Sequence, residues 1–392
     1  MSGSGRSRNL AVAGAAAAVV VLAVYDLGVW IQTIKADSFH NDLSFYYAAA
    51  RLGLTHGWSG LYDLNLQQEQ LRAIGSQIQV AQLARYISPP PLAWLVAPFT
   101  VLPFQFAYVL WSAVLLLALA LTWRLASPGH GRTRLLYLVA AIGWLPVIYG
   151  LQLGQPGMLV ALGVAACYAL LVRDRQVAAG ALLGLTVLKP QLAFLVPAAL
   201  LVTGRWRAFA AATAVVAVLA AVSVLALGGG GVATYEQRLN FASTVPENQA
   251  QTLAPWIGNL PVTRAIQVLI AVWALGLAYR LRSRGPGLVL AAALVGGLAA
   301  GPYVHYDDLT MLGLAGWLYL RSPRQQWGWV YLLALALAAE GFPIWGAGPI
   351  LAGELGALAL LTVFPPPAAD PDPAIERRSQ LEYPLPRNKV RI

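Results

Sequence analysis

Five short polar stretches in an otherwise apolar chain carry residue types suited to moving a proton and holding an anion. The first is Asp37-Ser38-Phe39-His40-Asn41-Asp42, followed by Leu43-Ser44-Phe45-Tyr46-Tyr47 and three alanines. Next come Gly150 to Gly157, with Gln152 and Gln155, and Leu188-Lys189-Pro190-Gln191. The stretch 228–262 adds Arg238, Asn240, Glu247, Asn248, Gln249 and Gln251, and the last is Gly301-Pro302-Tyr303-Val304-His305-Tyr306-Asp307-Asp308. A carboxylate can take the proton of an attacking hydroxyl, while cations and hydrogen-bond donors stabilise a departing phosphate. Asp42 suits the first role; Lys189, His305 and Arg238 suit the second. One base, with no second carboxylate as nucleophile, implies inversion at the carbon attacked.

Each of these residues has a plainer reading. Asp42 precedes a helix-forming run, where carboxylates commonly cap the helix or complement its dipole. In its favour are Phe45, Tyr46 and Tyr47, whose faces can wall a sugar ring; Asp37 is the alternative base. Lys189 is flanked by apolar residues, and an ionisable group at membrane depth is costly. Its side chain can snorkel to headgroups, but Pro190 breaks the helix and irregular backbone in a membrane belongs at a cavity. His305 is either a polar loop residue or, between Tyr303 and Tyr306, a donor to phosphate or a proton shuttle. His305, Asp307 and Asp308 are ligand types that suit Mg²⁺ or Mn²⁺, but their spacing specifies no metal, and no cofactor is expected. Tyr46, Tyr47, Gln155, Gln191, Asn248, Gln249, Tyr303, Asp307 and Asp308 make up the expected substrate-binding group. No glycine-rich nucleotide loop stands in a strand–turn–helix setting, and Gly228 to Gly231 read as a flexible turn.

The elements that must position these residues are membrane helices. Of 392 residues, 58% are hydrophobic and 11% charged, against about 25% charged in globular domains. A net charge of +10 would suggest nucleic acid in a soluble protein; here its distribution reports topology, and no nucleic-acid partner is expected. The single cysteine, Cys167, excludes a disulfide framework. Leu10 to Ile31 forms a retained first helix. Further apolar runs lie at roughly 104–124, 135–149, 157–172, 177–188, 191–203, 206–227, 263–281, 287–301, 307–320, 327–342 and 347–364. The chain is therefore an all-α integral membrane protein of about twelve segments, several shorter than the ~20 residues of a straight span.

Lys and Arg stay on the cytoplasmic side. With the N-terminus inside, 19 of the 26 basic residues fall in cytoplasmic loops and tails. Both termini are then cytoplasmic, and the five polar stretches face the other side of the plasma membrane. Residues 1–364 form one transmembrane domain with a long first extracytoplasmic loop, 36–103. The tail 365–392 opens with three prolines and cannot bury a core. Nucleotide sugars are made inside, so a sugar donor at this site would ride on a polyprenyl phosphate whose tail lies in lipid.

At these residues the chain resembles glycosyltransferase family 87, integral membrane enzymes of GT-C type that include polyprenyl-phosphate-mannose-dependent α-mannosyltransferases. The matching pieces run from Asp42-Leu43-Ser44-Phe45-Tyr46-Tyr47 and Leu61-Tyr62-Asp63 through Tyr86-Ile87-Ser88-Pro89-Pro90-Pro91-Leu92 to Tyr108 and Trp111. They continue through Gly154-Gln155-Pro156-Gly157, Lys189-Pro190-Gln191 and Glu247-Asn248-Gln249 to Gly301–Leu309, covering roughly residues 36–320. The resemblance implies Asp42 as the base, Lys189 and His305 facing the donor phosphate, mannose as the default sugar, and a lipid or glycan acceptor. Pro156 and Ala250 depart from the family pattern, which leaves sugar and acceptor open. The competing classes are a multi-span transporter or lipid flippase, and a scaffold that kept the fold without the activity.

Overall fold

The structure, a computed structural model, describes residues 3–81, 84–322 and 326–367. In lipid every main-chain N–H and C=O must find an internal partner. All the regular structure among these residues is accordingly helical. In chain order the helices are α1 Gly3–Ala36, α2 Leu43–His56, α3 Leu64–Ala73, α4 Pro90–Val96, α5 Phe104–Ala126 and α6 Gly131–Ile142. Then follow α7 Leu145–Leu153, α8 Gly157–Leu171, α9 Gln176–Leu183, α10 Leu195–Val202, α11 Trp206–Ala242 and α12 Ala254–Ile257. The last are α13 Leu260–Arg280, α14 Pro286–Ala299, α15 Thr310–Leu320, α16 Gln326–Glu340, α17 Phe342–Trp345 and α18 Gly348–Val363.

Four helices are long and apolar enough to cross a membrane: Ala16–Ala36 within α1, then α5, α11 and α13. The pair α6 and α7, bent by 56° at their junction, passes the same test together. The other apolar helices have 10–17 residues, so the chain has four or five full-length spans by length and composition where twelve apolar segments were read. The difference lies in the shorter apolar helices, among them α8, α14 and α18, which fall below the length of a straight span; 157–203 in particular breaks into short helices and 3₁₀ turns around Lys189-Pro190.

The core sits around α14, which is buried from Gly287 to Ala299. Its alanines and glycines let neighbours approach closely, as small residues do at membrane helix contacts: a Cβ on Gly296 would run into that of Ala274 on α13.

Residues 36–103, expected as a loop, carry the helices α2, α3 and α4. The Pro89-Pro90-Pro91 run is a helix start, with Pro89 at the N-cap of α4, where missing N–H groups cost nothing. Asp63 caps α3, accepting from the Asn65 and Leu66 amides at 2.8 and 3.0 Å. The glycine run 228–231 lies inside α11, which kinks at Gly228 (φ 64°) and continues to Ala242. Of the tail 365–392, residues 368–392 lie outside the described residues.

Candidate active site

The polar stretches meet around a cavity of about 910 Å³. Its wall takes Asp42 and Tyr46 from α2, Gln155 from the α7–α8 turn, and Lys189 and Gln191 from the break before α10. Asn248 and Gln249 come from the turn after α11, and Tyr303, His305 and Asp307 from the α14–α15 loop.

Asp42 occupies the N-cap position of α2, but its side chain makes no cap hydrogen bond. Its carboxylate instead accepts from the Gln155 side-chain amide. Two main-chain features hold that pair together. The Asp42 amide donates to the Leu153 carbonyl at 3.0 Å, and Gly154, in the left-handed region at φ 71°, brings the turn against α2. A Cβ on Gly154 would lie 2.8 Å from that of Leu43. Trp111 locks the turn by donating its indole N–H to the Gly154 carbonyl at 2.8 Å. Burial, with the Asp307 charge adding and Lys189 and Gln155 opposing, pushes the Asp42 carboxyl up to about 6. A carboxyl poised near neutral pH suits a general base. Asp37, the alternative, is exposed and accepts from the Phe39 amide at 2.9 Å; it does not line the cavity.

Lys189 is buried between two carboxylates, 2.6 Å from Asp307 and in direct contact with Asp308. Burial alone would lower the lysine, but the two carboxylates outweigh it and hold the ammonium above its ordinary value. One cation does not neutralise two acids: burial, opposed by Lys189 and reinforced by Asp307, pushes Asp308 up to about 7. Asp307 is held below the ordinary range by Lys189, against burial. The Asp307–Asp308 pair that suggested a metal thus has a lysine ammonium between its carboxylates. No group of three metal-ligating side chains gathers among the described residues.

Burial and the Lys189 charge push the His305 imidazole down to about 4, so the ring is neutral at physiological pH. Its Nε2 lies 3.0 Å from the Asn248 side-chain oxygen, and Asn248 donates onward to the Ala242 carbonyl at 2.8 Å. This relay ties the end of α11 to the Gly301–Asp308 loop. His305 also donates its main-chain N–H to Asp308 at 2.8 Å.

Three residues expected at the site lie off the cavity wall. Tyr47 turns its hydroxyl to the Leu102 carbonyl at 2.6 Å, fastening α2 to the start of α5. Asp308 is fully buried behind Lys189. Arg238 donates its Nε to the Tyr62 carbonyl at 3.3 Å, although its helix neighbours Tyr235 and Leu239 line the cavity. In return the wall includes Arg85, Arg264, Ser88, Tyr149 and Tyr235. Of these only Ser88 belongs to a motif singled out in the sequence, and basic residues scattered in loops carry no signal of convergence.

The described residues thus set a half-buried carboxylate, free of any cap bond, on the wall of a large cavity in a helical membrane protein. Residues 86–304 match glycosyltransferase family 87. The chain belongs to that family and is a glycosyltransferase. The matched stretch includes Gln155, Lys189, Asn248 and Tyr303; Asp42, His305 and Asp307 flank it. No curated protein and no solved structure matches the chain significantly.

Proposed function

We propose that the chain transfers a sugar, mannose by default, from a polyprenyl-phosphate carrier to a lipid or glycan acceptor, with inversion at the anomeric carbon. The carrying observation is the Asp42 carboxyl, which lines the cavity, makes no cap hydrogen bond and among the described residues has only the Gln155 amide as a side-chain hydrogen-bond partner. In this reading the acceptor hydroxyl oxygen bonds to the anomeric carbon as the bond from that carbon to the phosphate oxygen breaks. Its proton passes to Asp42, and polyprenyl phosphate leaves. Gln155 orients the carboxylate toward the acceptor.

Positive charge near the leaving group comes from Arg264, while Lys189, its charge matched by Asp307 and Asp308, lines the cavity as an N–H donor to the phosphate. Arg264 bonds Gln267, which in turn donates to the Gly301 carbonyl below the Tyr303–Asp307 loop. His305, neutral and bonded to Asn248, contributes a hydrogen-bonding edge in place of a charge. Tyr46, Gln191, Gln249 and Tyr303 supply ring faces and amides for the sugars.

The distribution of Lys and Arg supports an extracytoplasmic cavity in the plasma membrane, with cytoplasmic termini and a GT-C-type bundle whose short helices pair into further spans. The test is transfer of labelled mannose from polyprenyl-phosphate-mannose into a membrane lipid extract by purified protein. Labelled product is expected from the wild type. If label moves from no polyprenyl-phosphate sugar, mannose or pentose, the reading fails.

A further inference from the structure

Two guanidinium groups from distant parts of the chain come near each other beside the cavity, and among the described residues neither is in an ion pair with a carboxylate. Arg85 lines the cavity, with its guanidinium carbon 4.6 Å from the centre of the Phe241 ring. Phe241 follows Arg238 by three residues on α11, a spacing that puts both on one helix face. Each arginine is anchored through Nε to a main-chain carbonyl. Arg85 uses Ala81 at 2.7 Å, and Arg238 uses Tyr62 at 3.3 Å. Their terminal nitrogens make no hydrogen bond among the described residues.

The ion pairs among the described residues are His40–Asp37, Lys189–Asp307 and Lys189–Asp308. Neither Arg85 nor Arg238 is in one. Burial and the neighbouring Arg238 charge both push the Arg85 guanidinium below its ordinary value. Like charges set together in partial burial repel, and a bridging anion removes that cost. Guanidinium forks match phosphate oxygens in bidentate geometry.

The pair is also set apart from the reacting carboxyl. Tyr86, next in sequence to Arg85, meets Tyr46 edge-on at 6.1 Å, and Tyr46 lies one turn into the helix that Asp42 begins. Elsewhere on the wall Lys189 is already paired with two carboxylates.

We propose that Arg85, on the cavity wall, and Arg238, just behind it, form an anion subsite at the edge of the cavity, distinct from Asp42, that holds the phosphate of a substrate lipid. The identity of that lipid rests on the transferase reading; the subsite does not. The phosphate belongs either to the polyprenyl carrier or to an acyl lipid on the acceptor side, and the chemistry of capture is the same.

The full chain, purified in detergent, is titrated with polyprenyl phosphate and, separately, with phosphatidylglycerol, following tryptophan fluorescence. Arg85→Gln and Arg238→Gln are expected to weaken binding of at least one probe about tenfold, the scale of a lost charge-assisted contact. The melting temperature should stay at the wild-type value. Loss for polyprenyl phosphate assigns the carrier; loss for phosphatidylglycerol assigns the acceptor side. Arg→Lys variants should bind in between, because they keep the charge and lose the fork. Wild-type affinity for both probes in both glutamine variants overturns the subsite. If a glutamine variant does not fold, the matching lysine variant decides, and affinity equal to wild type in that variant overturns it. Failure of sugar transfer by the wild type would sink the proposed reaction and leave this binding result standing.

Discussion

The Lys189 cluster and the Arg85–Arg238 pair handle positive charge in opposite ways. Lys189 is buried, and both of its neighbouring carboxylates belong to the protein; its charge is spent on holding the α14–α15 loop against the break before α10. Arg85 and Arg238 are half-buried, hydrogen-bonded only through Nε, and in no ion pair with an acid among the described residues. A buried charge needs a built-in partner to exist in the folded protein. A cation that waits for a ligand sits at partial exposure and accepts like-charge repulsion meanwhile. Exposure and pairing, more than burial in an apolar run, mark the free cation.

The sharpest way to break this contrast is Lys189→Met set against Arg85→Gln. The first leaves Asp307 and Asp308 buried without a counter-ion and should cost about 3–5 kcal/mol of stability. The second should stay within about 0.5 kcal/mol of wild type. Denaturation in detergent micelles checks both, and equal effects would erase the distinction.

Gly154→Ala attacks the carboxylate end alone. A side chain at φ 71°, pressed on Leu43, should cost about 1–3 kcal/mol of backbone strain. It should also move Gln155 off Asp42, so activity falls further than stability alone explains.

The pH profile isolates Asp42 itself. The base works deprotonated, so kcat/KM should rise with pH through about 6, where burial and Asp307 place the carboxyl. The Gln155 hydrogen bond favours the charged form, so Gln155→Leu should shift that rise to higher pH. A profile flat from pH 5 to 8 would remove Asp42 as the titrating base.

The smallest effect compares adjacent tyrosines. Tyr47→Phe loses the bond to Leu102 and about 1 kcal/mol of stability, with kcat unchanged. Tyr46→Phe should act on KM instead, because Tyr46 lines the cavity.

Much of the cavity could be read from the sequence. Asp42, Gln155, Lys189, Gln191, Asn248, Gln249, Tyr303, His305 and Asp307 were singled out and share one wall, because polar groups in an apolar chain have few places to go. What could not be read was who satisfies whom. Nothing in Leu188-Lys189-Pro190 says that Asp307 and Asp308, more than a hundred residues on, will take the lysine's charge. Arg85 was invisible because its partner, Arg238, is distant in sequence and of like charge. Tyr47 and Tyr46 are neighbours on a helix, about 100° apart, and only packing decides which reaches the cavity. The count of twelve apolar segments stands beside four or five full-length spans because apolar composition does not distinguish one full crossing from a short helix of 10–17 residues.

The central claim is that Asp42 is the base of sugar transfer. Wild type, Asp42→Asn and Asp37→Asn are compared for transfer of labelled mannose from polyprenyl-phosphate-mannose to membrane lipid. Asp42→Asn should retain the wild-type melting temperature and lose about 10²–10⁴-fold in rate, the usual contribution of a general base, while Asp37→Asn transfers normally. Normal transfer by Asp42→Asn together with loss in Asp37→Asn would contradict the account and move the chemistry to the exposed turn before α2.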